Sequence, residues 1–241
     1  MKIDLSGKHI LVTGASGGIG ECIARMLADT GASVALHCNR NLDRGKALAK
    51  EIGHGARAFK ADLSAPEECF RLFVDVLEAY DTLDVLVNNA GMIINTPFET
   101  PADEWLESWN KTVMVNLTSA AILSRAAVNH FVTRGGGRII NIASRAAFRG
   151  DTPEYLAYAA AKGGMVSMSR SIARAFGKQG VKSFVVAAGF VRTDINKPFI
   201  EQYGEDFLVK DLALARLTEP DDVAPTVVFL ASGLIDHATG C

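Results

Sequence analysis

The stretch Thr13-Gly14-Ala15-Ser16-Gly17-Gly18-Ile19-Gly20 follows the short apolar run His9–Val12 and leads straight into a helical pattern. That position, between a strand and a helix, decides the fold. Glycines let the backbone turn sharply and come close to a ligand, and the helix that follows offers unpaired N–H groups and a positive dipole end to an anion such as a diphosphate. The cluster fits two spacings, Gly14/Gly17/Gly20 and Gly14/Gly18/Gly20, so on its own it does not say which kind of dinucleotide loop it is.

Outward from this turn, β-rich runs at His9–Val12, Ser33–His37, Ala56–Phe59, Val85–Val87, Arg138–Ile142 and Ser183–Ala187 are expected strands. They are continuously apolar rather than alternating, as strands buried on both faces of a parallel sheet must be. Between them, helices are expected at Gly20–Thr30, Leu42–Ile52, Pro66–Tyr80, Pro101–Thr133, Pro153–Gly177 and Glu219–Ser232. Strand–helix alternation without a linker or repeat predicts an α/β fold: a single doubly wound domain over residues 1–241, its sheet mostly parallel, with helices on both faces. Gly135-Gly136-Gly137 reads as a tight helix-to-strand turn.

Bulk composition narrows the partners. The chain has 241 residues, 49% hydrophobic and 22% charged, with a net charge of −2, so it carries no basic field for nucleic acid or anionic lipid. The start, MKIDLSGKHILVTG, is too short an apolar run for a signal peptide or a membrane span, and a cytoplasmic protein is expected. Cys22, Cys38, Cys69 and Cys241 lack metal-ligand spacing and read as reduced thiols, with no metal site expected.

In many NAD sites an acidic residue roughly 20 positions beyond the glycines holds the ribose 2′-OH. Here the second strand ends His37-Cys38-Asn39-Arg40. The carboxylate is missing and a guanidinium stands where it can meet a 2′-phosphate, which favours NADP(H) over NAD(H). Tyr158 and Lys162, four apart in an expected helix, share a face, and Ser144 lies just past the fifth strand, where ligands of parallel sheets bind. Reduction of a carbonyl needs an acid; Tyr158 can supply the proton, an adjacent Lys162 ammonium should lower its pKa, and Ser144 can orient the substrate oxygen. Tyr155 competes for the acid role, but Ala159 stands four residues after it, so it is assigned to pocket lining or packing.

With Thr13–Gly20, Asp62-Leu63, Asn88-Asn89-Ala90-Gly91, Asn116, Ser144, Tyr158-Ala-Ala-Ala-Lys162 and Gly189-Phe-Val-Arg-Thr193 in hand, the chain resembles the short-chain dehydrogenase/reductase family nearly end to end. The resemblance is closest to members like the 3-oxoacyl carrier-protein reductases, on a Rossmann-type fold. It implies that Gly14, Ser16, Gly18, Ile19 and Gly20 cradle the pyrophosphate, with Asn39 and Arg40 at the 2′ position. Asp62 and Leu63 flank the adenine in this picture, and Asn89, Ala90 and Gly91 lie along its ribose. Val191, Thr193, Tyr158 and Lys162 complete the implied cofactor set, and Asn116 joins Ser144, Tyr158 and Lys162 as catalytic through a water leading to the lysine. Structural roles stand beside these: Asn88 and Asn89 as loop ties, Asn116 as a buried capping amide.

The implied substrate is a small carbonyl compound or acyl thioester, and the implied assembly a homodimer or homotetramer. An NAD-linked alcohol or sugar dehydrogenase and a non-catalytic dinucleotide sensor are the alternatives. Phe184 and Ala188 depart from the family's usual Asn and Pro, and the sequence ends at Cys241, where relatives continue into a last strand. A missing strand would leave an open sheet edge. Met92, Ile93, Ile94, Phe148, Phe190, Ile195 and Phe199 read either as a substrate wall or as core, and Arg192 to Thr218, with Gly204, as a mobile lid.

Overall fold

A computed structural model describes residues 2–210 and 212–241. Six strands, β1 (His9–Val12), β2 (Ser33–Cys38), β3 (Arg57–Lys60), β4 (Val85–Asn88), β5 (Gly137–Ser144) and β6 (Val181–Ala188), form one sheet in the order β3-β2-β1-β4-β5-β6. Every pairing is parallel. The order reverses between β1 and β4, so the loops after these strands part and open a crevice at the carboxyl edge.

The helices are α1 (Gly18–Asp29), α2 (Leu42–Ile52), α3 (Pro66–Tyr80), α4 (Ala102–Val113), α5 (Ser119–Thr133), α6 (Ala146–Arg149), α7 (Leu156–Phe176), α8 (Lys197–Tyr203), α9 (Glu205–Val209) and α10 (Pro220–Ala231). Side chains of successive strand residues point to opposite faces. Ile10, Val12, Val34 and Leu36 therefore pack with Ile23 and Leu27 of α1 and Val227 of α10, while Leu11, Ala35 and Leu86 pack with Leu72 of α3 and Leu123 of α5. This doubly wound, Rossmann-type arrangement is the one expected.

Two elements depart from expectation. The continuous helix expected over Pro101–Thr133 is interrupted at Met114–Thr118 by a π-helical turn separating α4 from α5. The cause is Asn116, whose amide donates to the Thr112 carbonyl at 2.9 Å and competes with the backbone ladder. At the other end of the sheet, residues 239–241 line the outer edge of β6 where an open edge was anticipated. Gly240 N–H donates to Ser183 O at 2.8 Å, and Val185 N–H to Cys241 O at 3.0 Å. Phe184 is fully buried in the core beside α10. Gly135 and Gly136 take positive φ at the turn into β5, as expected. None of the four cysteines is disulfide-bonded, and no helix among the described residues is long and apolar enough to cross a membrane.

Candidate active site

A cavity of about 650 Å³ opens along the carboxyl edge of the sheet. Its floor is the turn after β1. Gly14 has φ +66°, and a Cβ there would lie 3.0 Å from Ala90 Cα, so only glycine lets the two loops touch. Gly20 stands behind the wall, where a Cβ would collide with the Gly14 carbonyl. Gly17 caps α1 without any side-chain hydrogen bond, which leaves the first amides of the helix directed at the cavity where Gly18 and Ile19 line it. The loop is anchored from β4: Thr13 Oγ1 accepts from the N–H groups of Asn89 and Ala90, each at 2.9 Å. The Asn89 amide donates to the carbonyls of Thr13 and Gly14, and Asn88 ties β4 to Ser124 and Asn141. Both asparagines thus have the tying role.

At the end where an adenine is expected, Asn39, Arg40, Asp62 and Leu63 line the cavity together with Lys111 of α4. Two hydrogen bonds from Ser64 hold the Asp62 carboxyl below the usual range, helped by Lys111 and Arg40. Arg40 is exposed at the rim. Residues at this end fit a nicotinamide dinucleotide: a glycine cradle, unpaired helix amides, a rim guanidinium, and no carboxylate at the end of β2.

Toward the other end, Gly91, Ser144, Tyr158, Lys162, Val191 and Thr193 line the cavity. Ser144 ends β5, and the first turns of α7 bring Tyr158 beside it. The neighbouring Ser144 hydroxyl favours the phenolate, yet burial outweighs it and pushes the Tyr158 phenol up from its ordinary value. The net direction is thus opposite to the lowering expected from Lys162, because burial dominates. Lys162 is 4% exposed, its ammonium 5.7 Å from the Tyr158 ring centre and donating to Ile142 O at 2.8 Å. Burial lowers its pKa from 10.5 to about 8.

Asn116 is fully buried behind this group. Its amide donates to Met92 O and Thr112 O at 2.9 Å each, and its Oδ1 accepts from Met92 N–H at 3.2 Å. A Cβ on Gly91 would lie 2.8 Å from Asn116 Oδ1 and 3.6 Å from Lys162 Nζ, so the two side chains converge there. In the substrate half, Met92, Ile93 and Ile195 reach the cavity. The other anticipated wall residues do not line it. Phe190 and Phe199 meet edge to face, Phe199 also packs 5.3 Å from Tyr155, and Phe148 is 61% exposed. Tyr155 accepts a hydrogen bond from Asn95 at 2.9 Å. The expected lid carries α8 and α9, and Arg192 at its start pairs with Glu205 at the head of α9 and with Glu219 just past its other end.

Among the cavity-lining residues that sequence reading passed over are His37 and Lys111. The signal for His37 was present, a polar residue inside the apolar run of β2. Lys111 had none, because the side of α4 facing the crevice is set by tertiary packing.

Fold and cavity together define a dinucleotide-binding oxidoreductase of the doubly wound α/β class. A family model described as short chain dehydrogenase matches residues 8–204. A 3-oxoacyl-[acyl-carrier-protein] reductase of Aquifex aeolicus is 32% identical over 244 residues, covering 100% of this chain and 96% of the relative. A crystal structure from Beutenbergia cavernae, assigned as an NAD(P)-dependent gluconate 5-dehydrogenase with NADP bound at low occupancy, superposes with a TM-score of 0.92 at 33% identity, covering 100% and 95% of the two chains. A 3-ketoacyl-(acyl-carrier-protein) reductase of Brucella melitensis complexed with NADH gives 0.88 at 28% identity, covering 98% and 96%. The chain belongs to the short-chain dehydrogenase/reductase family, and is an NAD(P)-dependent oxidoreductase acting between CH–OH and C=O.

Proposed function

We propose that this protein interconverts a carbonyl and a secondary alcohol with NADP(H), Tyr158 handling the proton, Lys162 tuning it and Ser144 orienting the substrate oxygen. The observation that carries the reading is the meeting of the Ser144 and Tyr158 hydroxyls over a buried Lys162 inside one 650 Å³ cavity. A bound nicotinamide supplies or takes up the hydride. Ser144 donates to the substrate oxygen, an interaction that strengthens as negative charge grows there. Tyr158 passes its proton to that oxygen, and Lys162, held by Ile142 O, faces the phenol ring and favours the charge left on it. Asn116 fixes the Met92 backbone behind them.

NADP(H) is favoured by Arg40 at the rim and by Asn39 in place of a carboxylate. The substrate is a small carbonyl compound or an acyl thioester, its apolar part against Met92, Ile93 and Ile195. A cytoplasmic homodimer or homotetramer completes the reading. Steady-state turnover of NADPH against ketones, aldehydes and 3-oxoacyl thioesters tests it. Tight NADPH binding without turnover on any of them would make the protein a dinucleotide sensor instead, and turnover restricted to NAD(H) and polyols would make it a sugar dehydrogenase.

A further inference from the structure

His37 sits near the end of β2, 2% exposed, beneath the adenine-side half of the cavity. Its ring bridges the loops of the two neighbouring strands. Nδ1 lies 3.1 Å from the Gly14 N–H, on the turn after β1, and Nε2 lies 3.0 Å from Ala61 O, on the loop after β3 that carries Asp62 and Leu63. A carbonyl only accepts and a backbone N–H only donates, so these partners assign the proton to Nε2 and leave Nδ1 bare. Only the neutral imidazole satisfies both. Backbone bonds brace the same junction: Ala15 N–H donates to His37 O at 2.9 Å, and Ala61 N–H to Cys38 O at 3.2 Å.

We propose that His37 is a positioning residue for the dinucleotide, registering the glycine turn against the adenine loop as a neutral imidazole, so that its protonation loosens cofactor binding without touching the proton chemistry at Tyr158. An imidazolium would set N–H against N–H at Gly14, and the turn that approaches Ala90 so closely would have to shift. Burial lowers His37 below its ordinary 6.5, opposed by the Ala61 carbonyl and by the field of Asp62. No other titratable side chain lies on the turn after β1 between Thr13 and Gly20. Glu21, the first charge on α1, is engaged by Arg25 and Arg44, while Arg40 beyond β2 and Lys111 on α4 act on Asp62. Because the folded value is lowered, the neutral form prevails above 6.5 and is lost as pH falls through that lowered value.

This inference rests on the cofactor reading above. The test measures the Kd of NADPH by fluorescence from pH 5 to 8 for the wild type, His37→Asn and His37→Leu, with circular dichroism and thermal melts for each. Asparagine keeps an acceptor at the δ position and does not titrate. At pH 7.5 His37→Asn should bind within about threefold of wild type, whereas His37→Leu should bind about tenfold or more weakly, the cost of an unpaired Gly14 amide. The leucine variant should raise the KM for NADPH and hold kcat at saturation. As pH is carried down through the lowered His37 value, read by NMR titration of the same protein, the wild type should weaken relative to His37→Asn, a comparison that cancels titration of the cofactor's own phosphate. Leucine binding like wild type at pH 7.5, or wild type and asparagine curves running parallel through the pH at which His37 is seen to titrate, would overturn the role. If the leucine variant does not fold, the wild type against asparagine comparison decides. Failure of the wild type to bind any nicotinamide dinucleotide would overturn the cofactor reading, and this role with it.

Discussion

Replacing Lys162 by Met removes a buried ammonium and keeps most of its bulk, and the structure sets the size of the effect. Burial moves this amine from 10.5 to about 8. At about 1.4 kcal/mol per tenfold change in proton affinity, holding it protonated inside costs the fold about 3 kcal/mol. The unfolded chain keeps its proton up to about 10.5 and the folded chain releases it near 8, so between those values the unfolded state binds more protons. Wild-type stability therefore rises with pH relative to Lys162→Met through that window, by about 2.5 kcal/mol between pH 7 and 10. The bond to Ile142 O adds a nearly constant offset, since a neutral amine donates to it as well. Urea unfolding of both proteins at pH 7, 8.5 and 10 measures the difference, and titrations away from Lys162 are shared and cancel. A stability difference that stays flat across this range would show that Lys162 is not held in a desolvated place.

Tyr158→Phe should cut kcat by about 10³-fold and leave the Kd of NADPH within about threefold, because only the transferable proton is lost; stopped-flow turnover with fluorescence binding checks both halves. Arg40→Ala should weaken NADPH by about 10- to 100-fold, the worth of a charge-assisted bond to phosphate, and leave NADH unchanged in paired titrations. For carbonyl reduction, kcat/KM for NADPH should decline as pH rises through about 8, where Lys162 loses its charge; a profile level to pH 9.5 would remove the lysine from the reaction.

Most of the sheet was legible because its strands are buried on both faces and so appear as unbroken apolar runs, Leu11 toward α3 and α5, Ile10 and Val12 toward α1. The turn at Thr13–Gly20 and the Tyr158/Lys162 spacing were legible because each is a local pattern whose geometry follows from a strand end or a helical turn. The π-turn at Met114–Thr118 was not, since a single widened turn barely disturbs a 3.6-residue period. Hydrophobicity alone did not sort Met92, Ile93 and Ile195, which reach the cavity, from Phe190 and Phe199, which pack edge to face outside its lining. His37 escaped for a topological reason: its partners Gly14 and Ala61 lie 23 and 24 residues away, and only the β3-β2-β1 order brings them together.

The direction of the Tyr158 shift shows where reasoning from charge partners alone goes astray. A lysine four residues along one helix face predicts an easier phenolate, but the same packing that brings the pair together also strips both of water. Desolvation penalises whichever form is charged, so it raises the phenol and lowers the amine, and each group moves toward neutrality. The amine therefore loses its proton at lower pH than the phenol does, and a phenolate beside an ammonium is not this pair's resting state. In the proposed reaction, the charge separation that helps catalysis belongs to the moment when the proton leaves Tyr158 for the substrate oxygen. On that proposal Lys162 stabilises a charge that exists only in the transition state and after it, which is the kind of interaction that accelerates a reaction instead of merely tightening a complex.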